Sequence, residues 1–228
     1  MKPMKAVTEW IAPRRTRVKI CGLTRIEDVR AAVGAGADAI GLVFFPESRR
    51  CVSLEHAGLL RRAAPAFVSV VALFVNASRD QIEQVIEKVR PDLLQFHGDE
   101  TPDYCRSFGR RYMRAFRVGA PGLETGEDLA RACRSYSDAS AWLFDSYSEG
   151  YGGSGRRFDV GSLDALRSQD DVRPIVLAGG MTSENVAQSI ARCRPYAVDV
   201  SSGVEDAPGV KSASKIRAFM NAVAEASG

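Results

Sequence analysis

Eight short apolar runs, rich in β-branched and aromatic residues, alternate along this chain with stretches of helical spacing. They fall at 17–21, 38–44, 67–75, 92–96, 111–118, 140–145, 173–178 and 196–201. The runs are apolar at both parities, so each strand must be covered on both faces. That is the pattern of a parallel sheet wrapped by helices. Between the runs, single apolar stripes recur at Ile26, Val29, Val33, at Ile82, Val85, Ile86, Val89, and at Ile216, Phe219, Met220, Val223. Start and stop signals agree with them: Thr24 with Glu27 and Ser78 with Gln81 are spaced as capping boxes, Thr101 precedes Pro102, and Thr182 follows a glycine pair. Gly34 and Gly36 close the first stripe, and Pro91 follows the third. Eight units favour a single-domain (β/α)8 TIM barrel over an open doubly wound sheet, which usually has five or six. The barrel is expected over 17–228, with residues 1–16 a loosely ordered extension.

Composition excludes several function classes. With 31 basic and 28 acidic residues the net charge is +3, too balanced for a nucleic-acid or membrane-surface protein. Any anion site must be local. Cys21, Cys51, Cys105, Cys133 and Cys193 form no CxxC pair and have no accompanying histidine pattern. They read as reduced thiols of a cytoplasmic protein, with neither a disulfide framework nor a metal site. No apolar run approaches the roughly 20 residues of a membrane span. A monomer is the expectation for a barrel of this size.

In such a barrel the active site lies where strands lead into helices. Reading only those loops collects Cys21, then Arg50 in FFPESRR, then His97 and Asp99 in QFHGDE, then Arg117, then Asp145 in FDS. Gly179 and Gly180 follow strand seven, and Asp199, Ser202 and Gly203 sit in DVSSGVE after strand eight. Small residues there let backbone N–H groups cradle a phosphate, or serve only tight turns. Cys21 precedes a helix start, which would favour a thiolate able to act as base or nucleophile; a small buried apolar cysteine is the other reading. Asp145 leaves an apolar strand, where partial burial would suit a general acid, or it is a cap or ion-pair partner. Arg50 offers a planar fork suited to a carboxylate. His97 is a proton shuttle or a hydrogen-bonded structural group. Loop 151–159, with Gly152, Gly153 and Gly155 beside Arg156 and Arg157, reads as a lid over substrate or as a solvated loop.

Taken in order, VKICGLT at 18–24, ADAIGLVFFPESRR at 37–50, LQFHGDE at 94–100, FDS at 144–146, GGSG at 152–155, LAGGMTSENV at 177–186 and AVDVSSGVE at 197–205 resemble the phosphoribosylanthranilate isomerase family of tryptophan biosynthesis. The resemblance runs from about residue 17 to the end of the chain. It implies a cofactor-independent Amadori rearrangement of N-(5-phosphoribosyl)anthranilate, a small-molecule substrate. It also implies Cys21 as general base, Asp145 as general acid and Arg50 as the holder of the anthranilate carboxylate. Gly155, Gly179, Gly180, Ser202 and Gly203 match phosphate-binding positions. His97, Arg117 and Asp199 are rim residues of open role. The chain departs from the family's pattern at Val160, where tryptophan is common, and at Cys51. A histidine-pathway isomerase would use two aspartates, and Cys21 argues against it. An indole-closing synthase would need a rim lysine, for which Lys19 is the candidate, of undetermined direction.

Overall fold

Because both parities of each run are apolar, the strands can be buried between an interior packing and a helical coat, and they are. The computed structural model describes residues 15–147, 158–167 and 172–227. Its parallel strands are β1 (Arg17–Cys21), β2 (Ala39–Val43), β3 (Ser69–Phe74), β4 (Leu93–Phe96), β5 (Tyr112–Val118), β6 (Ala141–Ser146), β7 (Ile175–Leu177) and β8 (Ala197–Val200). They pair in sequence order, and β8 pairs with β1 to close the barrel. The fold is the expected single-domain (β/α)8 TIM barrel.

One parity points outward. Val18, Ile20, Ile40, Leu42, Val70, Phe74, Phe96 and Trp142 meet residues of α1 (Ile26–Gly34), α2 (Leu54–Ala63), α3 (Arg79–Lys88), α4 (Pro102–Arg106), α5 (Gly126–Arg134), α6 (Asp164–Arg167), α7 (Val186–Cys193) and α8 (Ala213–Ser227) in one continuous shell. Each fully buried large side chain there contributes about 1.5–3 kcal/mol. The other parity points inward. Val71, Met113, Ala115, Ala141, Leu143, Val176, Ala178 and Ala197 pack the barrel interior, while Cys21, Val43, Leu73 and Val75 form a second apolar group. The interior is thus filled up to the level where the strand-end chemistry begins.

The cap signals divide. Ser78 and Gln81 form their reciprocal box, and the Thr101 hydroxyl accepts from the N–H of Tyr104 with Pro102 at the first turn. The Thr24–Glu27 box does not form. α1 starts at Ile26 with Arg25 as its uncapped N-cap, and the Thr24 hydroxyl instead donates to the carbonyl of Gly209 at 2.5 Å. A tertiary acceptor outcompetes the local one. Thr182 likewise stands before a turn, because α7 begins at Val186 after Asn185, whose side-chain oxygen accepts from the Thr182 N–H. A short antiparallel ribbon, β9 (Glu205–Ala207) with β10 (Val210–Lys211), follows β8 and had no signal in the strand pattern. Among the described residues no helix is long and apolar enough to cross a membrane. Residues 1–14, most of loop 151–159 and Gly155 within it lie outside the described residues.

Candidate active site

A cavity opens at the carboxyl ends of the strands, and strand parity decides what lines it. Cys21 of β1, Val43 of β2, Leu73 of β3, Gln95 of β4, Asp145 of β6 and Asp199 of β8 share the inward parity, and Val75, His97 and Ser201, each just past the end of its strand, continue it. Loop residues Phe45, Ser48, Arg50, Gly179, Gly180, Met181 and Ser202 complete the wall. One side is therefore apolar, and the other carries titratable groups.

Cys21 lies at the end of β1, and its thiol is buried. Two residues earlier, with the same parity, Lys19 donates to both carboxylate oxygens of Asp199, at 3.0 and 2.9 Å. Gly41 on the neighbouring strand makes room for this cluster: a Cβ there would lie 2.7 Å from Cys21 Sγ and 3.0 Å from Lys19 Nζ. Burial works against the Lys19 ammonium, but Asp199 and the Cys21 sulfur outweigh it and lift its pKa above the ordinary lysine value. For Cys21, burial pushes the thiol pKa up, opposed by the positive charges of Lys19 and Lys211. α1 begins five residues later, and the cations that favour the thiolate are the two lysines.

Asp145, partly exposed at the end of β6, faces His97, with 3.4 Å between Asp145 Oδ2 and His97 Nε2. The other ring nitrogen, Nδ1, lies 3.2 Å from the amide nitrogen of Gln95. The loop that holds His97 is braced from beneath. Glu100 accepts from the N–H groups of Asn76 and Gly98 and pairs with Arg114, which also donates to the carbonyls of Phe96 and Gly98.

Arg50 reaches the cavity from the loop after β2. Its Nε and Nη2 donate to the two oxygens of Glu205 at 2.8 and 2.7 Å. Glu205 also accepts from Lys211 Nζ at 2.7 Å, and Lys211 in turn donates to the carbonyl of Ser201. Gly22, at φ +74°, is required beneath Arg50, since a Cβ would come 2.4 Å from the arginine Cδ.

The two glycine loops meet. Gly179 and Gly180 have φ of +77° and +61°, in the left-handed region open to glycine. Gly203 packs so closely that a Cβ would lie 1.9 Å from the carbonyl oxygen of Met181. Ser202 opens a single 3-10 turn, Ser202–Val204, beside Gly180 in the cavity wall.

A barrel with a buried thiol, a facing carboxyl, an arginine fork and two glycine loops on one rim is matched by a known family: the profile of N-(5'-phosphoribosyl)anthranilate isomerase covers residues 18–222. The chain belongs to this family. It is 62% identical over 209 residues to the N-(5'-phosphoribosyl)anthranilate isomerase of Bordetella parapertussis, covering 92% of this chain and 96% of that one. The Pseudomonas savastanoi enzyme is 53% identical over 208 residues, covering 91% and 97%. Among solved structures, the phosphoribosyl anthranilate isomerase of Thermotoga maritima superposes with a TM-score of 0.82 at 38% identity, covering 92% of this chain and 99% of that one. A phosphoribosyl anthranilate isomerase bound to reduced 1-(o-carboxyphenylamino)-1-deoxyribulose 5-phosphate gives 0.78 at 36% identity, again covering 92% and 99%. Another Thermotoga maritima structure is of monomers derived from a dimeric enzyme. As a member of the isomerase family, the chain is an enzyme.

The sequence-predicted residues Cys21, Arg50, His97, Asp145, Asp199, Gly179, Gly180 and Ser202 line one cavity. Gly203 lies just behind it, shaping the contact with the strand-seven loop. Arg117 does not line the cavity; its guanidinium stacks over Tyr147 and reaches Asp99 at 3.5 Å. Cys51 and Val160, the two departures from the family's pattern, do not line it either. Gln95 was not singled out, Lys19 only as the lysine an indole-closing synthase would need, and neither Glu205 nor Lys211 at all. Parity was the available signal for the first two, since Gln95 stands two before His97 and Lys19 two before Cys21.

Proposed function

We propose that this isomerase converts N-(5'-phosphoribosyl)anthranilate to 1-(2-carboxyphenylamino)-1-deoxyribulose 5-phosphate, with Asp145 as general acid and Cys21 as general base. The observation that carries the reading is that both groups face one cavity from β6 and β1, with an apolar wall, Arg50 and two glycine loops arranged around them. Asp145 protonates the furanose ring oxygen as the C1′–O bond breaks, and the anilino nitrogen supplies the electron pair to form a protonated Schiff base. That cationic nitrogen acidifies the C2′ hydrogen. Cys21 takes this proton as thiolate, leaving an enolamine that tautomerises to the ketone. Electrons and atoms are conserved within substrate and enzyme, so the chemistry calls for no redox partner. Each acid or base group contributes about 10² to 10⁴ in rate.

Arg50 is read as the partner of the anthranilate carboxylate, and the N–H groups about Gly180 and Ser202 as the cradle of the 5′-phosphate. Gly155 belongs to this cradle on the family resemblance alone. Lys19 is tied to Asp199 and does not line the cavity, which speaks against an indole-closing synthase. The free cysteines fit a cytoplasmic enzyme. Among the described residues only Leu59 and Phe67 are exposed large apolar side chains, which supports a monomer; a dimer in sedimentation equilibrium would overturn it.

The test is the fluorescence-monitored consumption of freshly generated phosphoribosylanthranilate without added metal or cofactor. Wild type should consume it, Asp145→Asn and Cys21→Ser should lose about 10²-fold or more in kcat, and both variants should still bind a product analogue. A wild type that binds the analogue and converts nothing would sink the reading.

A further inference from the structure

Gln95 is fully buried in the barrel interior, and its side-chain oxygen has no hydrogen-bond partner among the described residues. A buried acceptor left without a donor is a net cost to the fold. Fold stability is a poor reason for a glutamine at this position, where its partners on the neighbouring strands, Leu73 and Met113, are apolar. What the residue does make is one contact, from its amide nitrogen to His97 Nδ1 at 3.2 Å. An amide nitrogen can only donate. With the amide so oriented, Nδ1 accepts, and the single proton of a neutral imidazole sits on Nε2, the atom that faces Asp145 Oδ2 at 3.4 Å.

We infer that Gln95 is a positioning residue that fixes the tautomer of His97, so that the ring presents an N–H to Asp145 Oδ2 and leaves Oδ1 to carry the proton the acid delivers. The inference rests on the reading of Asp145 as general acid. Gly179 sits against Oδ1, where a Cβ would lie 2.7 Å away, so a bound ligand can approach that oxygen over bare backbone. With the tautomer reversed, Nε2 would compete for the acid's proton. With Nδ1 also protonated, an imidazolium beside Asp145 would hold the carboxyl ionised, and the Gln95 donor would face a second donor. The charged groups that bear on the ring are Asp145 from β6 and, from β8, Asp199, itself tied to Lys19 of β1.

The experiment is nitrogen NMR of histidine-labelled protein, which holds only His56 and His97, assigned with a His56→Asn variant. At neutral pH wild-type His97 should show a protonated Nε2 and an accepting Nδ1. Gln95→Glu, which puts an acceptor at Nδ1, should move the proton there or add a second one, and kcat should fall by about 10- to 100-fold with a smaller change in KM. Gln95→Met, which removes the amide without adding an acceptor, should give a mixed tautomer. An Nδ1-protonated or doubly protonated His97 in wild type, or an unmoved spectrum in Gln95→Glu, would overturn the inference. The expected spectra together with unchanged turnover in Asp145→Asn would instead sink the acid assignment and leave the tautomer claim standing.

Discussion

Arg50 gives the Nε–Nη2 edge of its guanidinium to Glu205, at 2.8 and 2.7 Å, so the fork enters the cavity wall already oriented. An arginine has a second edge, Nη1 with Nη2, and Nη1 has no partner among the described residues. A planar ligand carboxylate can take that edge without displacing Glu205. Glu205→Gln should raise KM about tenfold and change kcat little, through loss of a preset fork. Arg50→Ala should raise KM further, and the double variant should match Arg50→Ala alone. Steady-state kinetics on the three proteins checks this. An additive double variant would mean that Glu205 acts independently of Arg50.

The same carboxylate should make the fold sensitive to acid. Burial raises the pKa of Glu205, but Arg50 and Lys211 outweigh it and hold it below the ordinary glutamate range. A folded-state pKa below the unfolded one contributes stability that is present above the unfolded value and is lost as pH falls through the folded one. Lys211 is fully enclosed, so removing the charge opposite it is costly. Glu205→Gln should lose about 3 kcal/mol near neutral pH. The gap between the two proteins in denaturant unfolding should close as pH drops below the carboxylate range. A gap constant with pH would mean the cost is one of packing.

Cys21 and Lys19 give a kinetic counterpart. Because the positive charge of Lys19 favours the thiolate, removing it should raise the thiol's pKa further and shift the acidic limb of kcat/KM to higher pH. Lys19→Met with Asp199→Asn removes the buried pair together and avoids stranding a charge. Alkylation of Cys21 as a function of pH reads the same quantity directly, in a Cys51→Ser background. Cys105, whose pKa burial pushes up to about 12, stays silent there. Asp199 opposes Lys19 at the thiol, so an unmoved alkylation profile would show that the pair has no net bearing on the base.

Much of this site was legible because a barrel converts order along the chain into position on one rim. Once the eight strands were counted, Cys21, His97, Asp145 and Asp199 had to stand at strand ends, and strand bounds accurate to a few residues sufficed. Partnership was not legible. Thr24 and Glu27 had the spacing of a cap, yet the carbonyl of Gly209, distant in sequence, took the hydroxyl. Arg50 looked like a free fork, and its orienting partner lies 155 residues away in a ribbon too short to register as strands. Lys19 was ambiguous until the register of β1 against β8 set it beside Asp199. Contacts across a closed sheet depend on shear and twist, which no local pattern encodes.

The glycine loops supply a test in which shape and charge separate. At Gly203 the backbone is ordinary, and the obstacle is the carbonyl oxygen of Met181, 1.9 Å from where a Cβ would stand. At Gly179 the obstacle is double: φ of +77°, and a Cβ only 2.6 Å from the Ser146 N–H nitrogen. Gly203→Ala can be relieved only by parting the loops after β7 and β8, so the cradle should open while the strands beneath survive. Binding of inorganic phosphate and of the product analogue should weaken by about tenfold or more, with stability falling by about 1–3 kcal/mol. Gly179→Ala pushes instead toward Ser146 and Asp145 Oδ1, so it should lower kcat as well as binding. Titration calorimetry with inorganic phosphate, set beside turnover, separates the two. Equal losses of kcat in both variants would mean that the loops move as one body, and phosphate affinity unchanged in Gly203→Ala would remove the loop after β8 from the phosphate site.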